Sequence, residues 1–219
     1  MATVLSVNVG RLVPTVHSDF PVTGIDKRPV AGPVEITDPG TSPTSGLAGD
    51  GIGDTNSHGG HEQAVYAYAR EDLDAWQAEL GRSLPSGVFG ENLTTLGLDL
   101  NDARIGERWR IGERCVLEVS CPRIPCRTFA GWLGENAWER RFTLRATPGA
   151  YLRVVMPGPV RAGDQIAVED RPDHDVTIRL MFRALTREKN LLPLLAPAGD
   201  ALPAETRALV AALTAGSAT

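Results

Sequence analysis

Cysteine is rare in this chain, and the three it has, Cys115, Cys121 and Cys126, fall within twelve residues. An odd number spaced so closely is a poor disulfide framework and predicts a reducing, cytoplasmic setting with at least one thiol free for chemistry. No second cysteine pair completes a structural zinc site. No stretch approaches the roughly 20 consecutive apolar residues of a membrane span, and Met1–Gly10 lacks the basic and apolar regions of a secretory signal. No membrane association is expected. Positive charge is outnumbered: 22 Lys and Arg face 27 Asp and Glu, a formal net charge of −5. A nucleic acid polymer needs a basic face, so such a partner is not expected. A local basic patch can still form, because 20 of the 22 cations are Arg. Internal repeats, low-complexity linkers and the Gly-rich strand–helix fingerprint of a dinucleotide site are all missing.

What is present is a soluble-type composition, 42% apolar and 22% charged over 219 residues, enough for one large domain with a small appendage. Residues 1–172 carry most of the glycines and prolines. Short apolar runs lie between these breakers: Val4–Val9, Val30–Ile36, Ala64–Ala69, Cys115–Val119, Tyr151–Val155 and Gln165–Val168. The pattern predicts a mainly β fold with some α, a barrel or sandwich of short strands. One helix is predicted over Arg70–Leu80, with Leu73, Trp76 and Leu80 on a face and Gly81 as its stop. A second spans about Gly134 to Ala146. Residues 173–219 form a helical appendage. Asp175 or Thr177 caps a helix holding Ile178, Met181, Phe182 and Leu185; a short helix or turn at Leu191–Ala196 is broken by Pro193 and Pro197; another helix covers Ala204–Leu213. Three such helices are too small to fold alone and must dock on the barrel or on a partner chain, which leaves a homodimer open.

Four stretches carry candidate chemistry. In Ser120-Cys121-Pro122-Arg123-Ile124-Pro125-Cys126, two prolines stiffen a loop at a strand end. Arg123 and Arg127 favour the thiolate of Cys126, the form that attacks or binds metal. The alternative is a small hydrophobe in a core-facing turn, and Cys115 is read as core. The run Gly46 to Asp50, continuing through Asp54 to His58-Gly59-Gly60, suits close approach of backbone N–H groups to an anion, or is a flexible surface loop. His58 and His61 are a candidate metal pair without a third ligand nearby. In Phe89-Gly90-Glu91-Asn92-Leu93, the Asn92 amide suits a heterocycle edge, or bonds its own backbone in a turn. Thr23-Gly24-Ile25-Asp26-Lys27-Arg28-Pro29-Val30 is a Gly/Pro-bounded turn whose cations hold a phosphate or are solvated.

Taken in order, these segments resemble the MOSC domain, named for the C-terminal part of molybdenum cofactor sulfurases. They are Thr-Gly-Ile-x-Lys-x-Pro-Val, Gly-Asp-x3-Asp-x3-His-Gly-Gly, Ala-Val-x-x-Tyr, Phe-Gly-Glu-Asn-Leu and Pro-Arg-x-Pro-Cys. The helical tail resembles the three-helix appendage of a bacterial subgroup linked to tolerance of N-hydroxylated purines. The resemblance implies a β-barrel of the pyruvate-kinase insert type and a cleft for a pyranopterin molybdenum cofactor. It makes Cys126 the metal ligand and sets Arg123 against the thiolate or a cofactor phosphate. It places Asp50, His58, Gly59 and Gly60 along the cleft, Asn92 with Glu91 on the pterin, and Thr23, Gly24 and Lys27 on the phosphate side. The implied reaction is reduction of a small N-hydroxylated substrate, with electrons from a donor protein in trans. A persulfide carrier on Cys126, a non-enzymatic cofactor-binding module and a Cys–His hydrolase are the competing readings. Cys121 departs from the family pattern, where Gln, Ser or Thr is expected. A second thiol there could trap Cys126 as a disulfide or resolve a persulfide.

Overall fold

The structure, a computed structural model, describes the backbone of residues 1–216 and the side chains through residue 213. Seven strands close into a barrel in the order β10 (Gln165–Asp170), β6 (Arg108–Ile111), β7 (Cys115–Pro122), β8 (Ala150–Met156), β4 (Val65–Ala69), β5 (Leu93–Leu96) and β1 (Ala2–Pro14). The ring is completed where Ala2 and Thr3 pair with Ile166 and Gln165. Strand β1 has 13 residues, and its second half leaves the ring to pair with β2 (Val22–Pro29). The stretch predicted as a Gly/Pro-bounded turn is therefore a strand. Its turn-type residues are overridden by the ladder that β1 offers. A separate ribbon joins β3 (Val34–Ile36) to β9 (Gly158–Val160).

All ring pairs are antiparallel except β4–β5. A parallel pair needs a crossover, and helix α1 (Arg70–Leu80) supplies it. The helix has the predicted bounds, buries Leu73 and Trp76, and stops at Gly81 in the left-handed region (φ 66°). The second predicted helix, about Gly134 to Ala146, is present in its later part. Helix α2 (Arg127–Leu133) was not foreseen; it ends at Gly134 (φ 66°), and α3 (Trp138–Arg145) begins beyond it.

The barrel interior is aliphatic, with Val4, Val65, Leu93, Ile111, Leu117, Val119 and Leu152 buried around Trp109. The tail adds to this same core. Thr177 caps α4 (Ile178–Thr186) by accepting from Leu180 N–H at 3.1 Å. Ile178 and Met181 then pack on the barrel residues, followed by Leu192 and Leu195. Each such burial contributes roughly 1.5–3 kcal/mol. The predicted break at Pro193 and Pro197 does not occur. A 3-10 stretch runs through both, over Lys189–Ala201, with its kink at Gly199. The stretch is a succession of short turns, and a Pro at the start of a turn gives up no N–H bond of that turn. Helix α5 (Ala204–Gly216) follows as expected.

A second, aromatic cluster lies outside the barrel under α1, α2 and α3. Phe89 sits at its centre, 5.0–5.4 Å from the rings of Tyr68, Phe129 and Trp138. This cluster is the floor on which the candidate site rests.

Candidate functional site

Strand β7 delivers Pro122 to the rim of the barrel, and the chain turns through Arg123-Ile124-Pro125 to Cys126, the residue preceding α2. Cys126 is extended there (φ −135°, ψ 167°) and only half-buried. Burial pushes its thiol up. A hydrogen bond with His58, the Arg123 charge and the Phe129 N–H together outweigh that and bring it down to about 7. The other two thiols go the opposite way. Burial pushes both Cys115 and Cys121 up to about 12. Cys121 Sγ turns to the Glu62 carbonyl at 3.9 Å, and all three cysteines are free thiols.

Arg123 is 6% exposed. Its guanidinium donates to the Phe89 carbonyl and lies over the rings of Phe129 (4.3 Å) and Tyr66 (5.0 Å). It takes part in no ion pair, and its buried Nε has no hydrogen-bond partner among the described residues. A buried cation without an anion is costly. The aromatic faces offset part of that cost. The remainder marks a place where an anionic ligand is favoured.

Across the cleft Lys27 from β2 is held the other way. Its ammonium reaches both oxygens of Asp50, at 2.5 and 2.7 Å. Desolvation lowers the Lys27 pKa, against the raising influence of Asp50. Asp50 also accepts from Gly10 N–H at 2.6 Å and from Asn92 Nδ2 at 2.9 Å. Its carboxylate is therefore consumed by the protein, with Lys27 its main cationic partner. The Asn92 Oδ1 accepts from Tyr66 N–H at 3.1 Å, so this amide ties β4 to the glycine loop rather than bonding its own turn.

Glycine is required where that loop meets β2. A Cβ on Gly24 would lie 1.8 Å from the Gly51 carbonyl oxygen. At Gly59, where φ is +84°, a Cβ would lie 2.8 Å from the Pro43 backbone. The segments can thus meet at backbone contact, leaving side chains to line the hollow between them.

The segments meet in one open cleft, part of it exposed to solvent. Thr23, Gly24, Lys27, Asp50, His58, Gly59, Asn92, Arg123 and Cys126 all line it. Two expected residues do not. Gly60 faces away as the start of the turn His61–Gln63. Glu91 is fully buried: it accepts from Gly87 N–H, Phe89 N–H and the Thr94 hydroxyl, at 2.5, 3.0 and 2.9 Å. It braces the loop and has no access to a bound molecule. Gln63 and Tyr151 were missed by sequence reasoning; both line the cleft and an adjoining hollow that Cys126 and His58 also line. The family-like Ala-Val-x-x-Tyr motif ends on Tyr68, but nothing local in the sequence brings Tyr151 to Cys126.

The His58–His61 pair does not form as a metal site, because His61 turns to Asp38 at 3.1 Å while His58 turns to Cys126. Among the described residues no group of three His, Cys, Asp or Glu side chains converges on a point. A metal at Cys126 would have to bring most of its ligands with it. No hydrogen bond to a third residue orients His58 among the described residues, so the relay of a Cys–His hydrolase is incomplete.

The thiol assignments have a direct check. Carboxymethylation by iodoacetate, followed by mass spectrometry, is expected to modify Cys126 with a pH midpoint near 7 and to leave Cys115 and Cys121 largely unmodified at neutral pH. The sign follows from the thiolate being the nucleophile: the rate falls as pH drops below 7. In His58→Ala the midpoint moves upward.

The chain belongs to the MOSC domain family, which it matches over residues 54–167. It is 32% identical over 181 residues to YflK of Bacillus subtilis, covering 82% of this chain and 79% of that protein. A Gibberella moniliformis protein named reductase is 28% identical over 194 residues, and the chain spans only 33% of its length. The crystal structure of YiiM from Geobacillus stearothermophilus superposes with a TM-score of 0.77 at 26% identity, over 97% of this chain and 98% of that one. Among the described residues no helix is long and apolar enough to cross a membrane.

Proposed function

We propose that this chain binds a pyranopterin molybdenum cofactor and reduces small N-hydroxylated compounds to the corresponding N–H compounds and water. The observation that carries the reading is the juxtaposition of an activated thiol, Cys126, with a buried guanidinium, Arg123, whose Nε has no hydrogen-bond partner among the described residues. The residues suit the group. Its phosphate or pterin oxygens would answer the unpartnered Arg123 Nε, and Cys126 would provide the protein thiolate on a metal that arrives already coordinated. When bound, the cofactor would supply the two-electron chemistry. The protein's own part is to hold and orient. Arg123 neutralises charge beside the sulfur. Lys27, fixed by Asp50, has one ammonium hydrogen left for the phosphate side. His58 lines the same cleft and favours the thiolate of Cys126. Overall the change is R–NHOH + 2H⁺ + 2e⁻ → R–NH₂ + H₂O. The electrons require a donor protein in trans, in a cytoplasmic setting that keeps the thiols reduced.

The test is anaerobic purification from a host that makes the cofactor, followed by elemental analysis and turnover with a chemical reductant. Near-stoichiometric molybdenum and reduction of an N-hydroxylated base are expected. Metal-free protein from that host overturns the reading. The same low thiol pKa favours one alternative, a persulfide carrier, which would show as a mass increase of one sulfur atom on Cys126 after incubation with a desulfurase.

A further inference from the structure

Cys126 lines two adjoining hollows. The cleft described above lies on the Lys27 and Arg123 side; the other is walled by His17, Ile124 and Pro125. Gln63 and Tyr151 stand at the junction and belong to both walls. Neither is used by the protein. The Gln63 Oε1 is buried without a hydrogen-bond partner, and no bond from its amide nitrogen occurs among the described residues. The Tyr151 ring is held by its neighbour Tyr66, with ring centroids 5.0 Å apart and planes tilted by 37°. Its hydroxyl makes no hydrogen bond among the described residues, although the two neighbouring tyrosines, Tyr66 and Tyr68, donate theirs to Pro148 and Thr147 carbonyls at 2.7 and 2.9 Å. Burial pushes the Tyr151 phenol up to about 12, so it remains a neutral donor at neutral pH.

A buried acceptor left unmade costs the desolvation of that group. A rigid phenol on the same wall, also unspent, gives one donor and one acceptor in the cleft that Cys126 lines. Both positions are set by backbone rather than by chance rotamers. Gln63 closes a 3-10 turn, its N–H donating to the Gly60 carbonyl at 3.1 Å, and Tyr151 sits on β8 directly opposite Cys121 on β7.

We propose that Gln63 and Tyr151 form a substrate-orienting pair that selects compounds in which an N–H donor adjoins the N–O group. The Tyr151 hydroxyl donates to the substrate's N-oxygen, and the Gln63 carbonyl accepts from the adjacent N–H. Amidoximes and N-hydroxylated amino-heterocycles satisfy both; simple oximes satisfy only the first. The inference deepens the reductase reading and rests on it for the identity of the N–O group.

The test measures binding without an electron donor, so that nothing turns over. Calorimetric dissociation constants are compared for benzamidoxime and benzaldoxime, which differ by the amino group. Wild type is expected to prefer benzamidoxime about three- to tenfold, the worth of one net hydrogen bond. Gln63→Met, apolar and of similar shape, is expected to lose that preference by weakening benzamidoxime alone. Tyr151→Phe, which keeps the ring stack, is expected to weaken both compounds to a similar extent. Wild-type binding without preference, no binding of either compound, or variants indistinguishable from wild type would each overturn the pair. Molybdenum content is measured on the same samples. Metal-free wild type that still shows the pattern sinks the reductase reading and leaves the pair standing. Loaded protein without the pattern does the reverse.

Discussion

If the proposed reductase function holds, Cys126→Ser is expected to abolish reduction of N-hydroxylated compounds and to lower the molybdenum retained per chain, with the barrel intact. The expected loss in kcat/KM is about three orders of magnitude or more, the scale of removing a ligand or nucleophile on which a reaction depends. Serine keeps the size of the side chain, and the half-exposed position next to α2 bears little of the core. What it removes is the anion. A thiol brought down to about 7 is substantially thiolate at neutral pH, whereas a serine hydroxyl stays protonated there and is a poor soft-metal donor. Circular dichroism and the thermal midpoint should match wild type, while elemental analysis and turnover fall together. A variant that keeps both its molybdenum and its rate would remove Cys126 from the site.

Asp50→Ala is expected to be the most damaging change for stability in the cleft, costing about 3–5 kcal/mol. The reason is the partner it leaves behind. Lys27 has a side chain only 9% exposed, and its ammonium spends its bonds on the two Asp50 oxygens. Without the carboxylate, a buried ammonium stands close to the Arg123 charge, and Gly10 N–H and Asn92 Nδ2 lose their acceptor as well. Removing both charges separates the causes. The double variant Lys27→Met/Asp50→Ala is expected to recover a large part of the loss, because no buried charge of the pair is left unpaired. Denaturant unfolding of the four proteins in the cycle reads the coupling directly. Equal destabilisation in the single and double variants would mean that Asp50 acts through Gly10 and Asn92 rather than through Lys27.

Sequence legibility followed the reach of the interaction. Arg70–Leu80 was readable because its apolar spacing and Gly81 stop are local signals that α1 obeys. Ala64–Ala69 and Cys115–Val119 were readable as apolar runs between breakers, and β4 and β7 lie on them. Thr23–Pro29 was misread because Gly24 and Pro29 look like turn residues, and only the distant ladder of β1 makes them a strand. Helix α2 was missed because it is seven residues long, contains Gly131 and has no side-chain cap. In the site, adjacency misled where facing matters: Glu91 and Asn92 are neighbours, yet only Asn92 reaches the cleft. Gln63 and Tyr151 carry no motif. They meet because β8 pairs with both β7 and β4, a fact of the barrel that one sequence does not display.

The closure of the barrel sets a timetable for synthesis. Ala2 and Thr3 wait for Gln165 and Ile166, so a growing chain holds its first strand with one edge unpaired until most of its length has left the ribosome. Contacts so distant in sequence form slowly, and an open strand edge meanwhile invites pairing with other chains. The cleft has the same schedule, since its walls come from residues near 24, 50, 92, 126 and 151. On the proposed reading, a cofactor can be gripped only once the segment carrying Tyr151 has emerged and met the earlier walls.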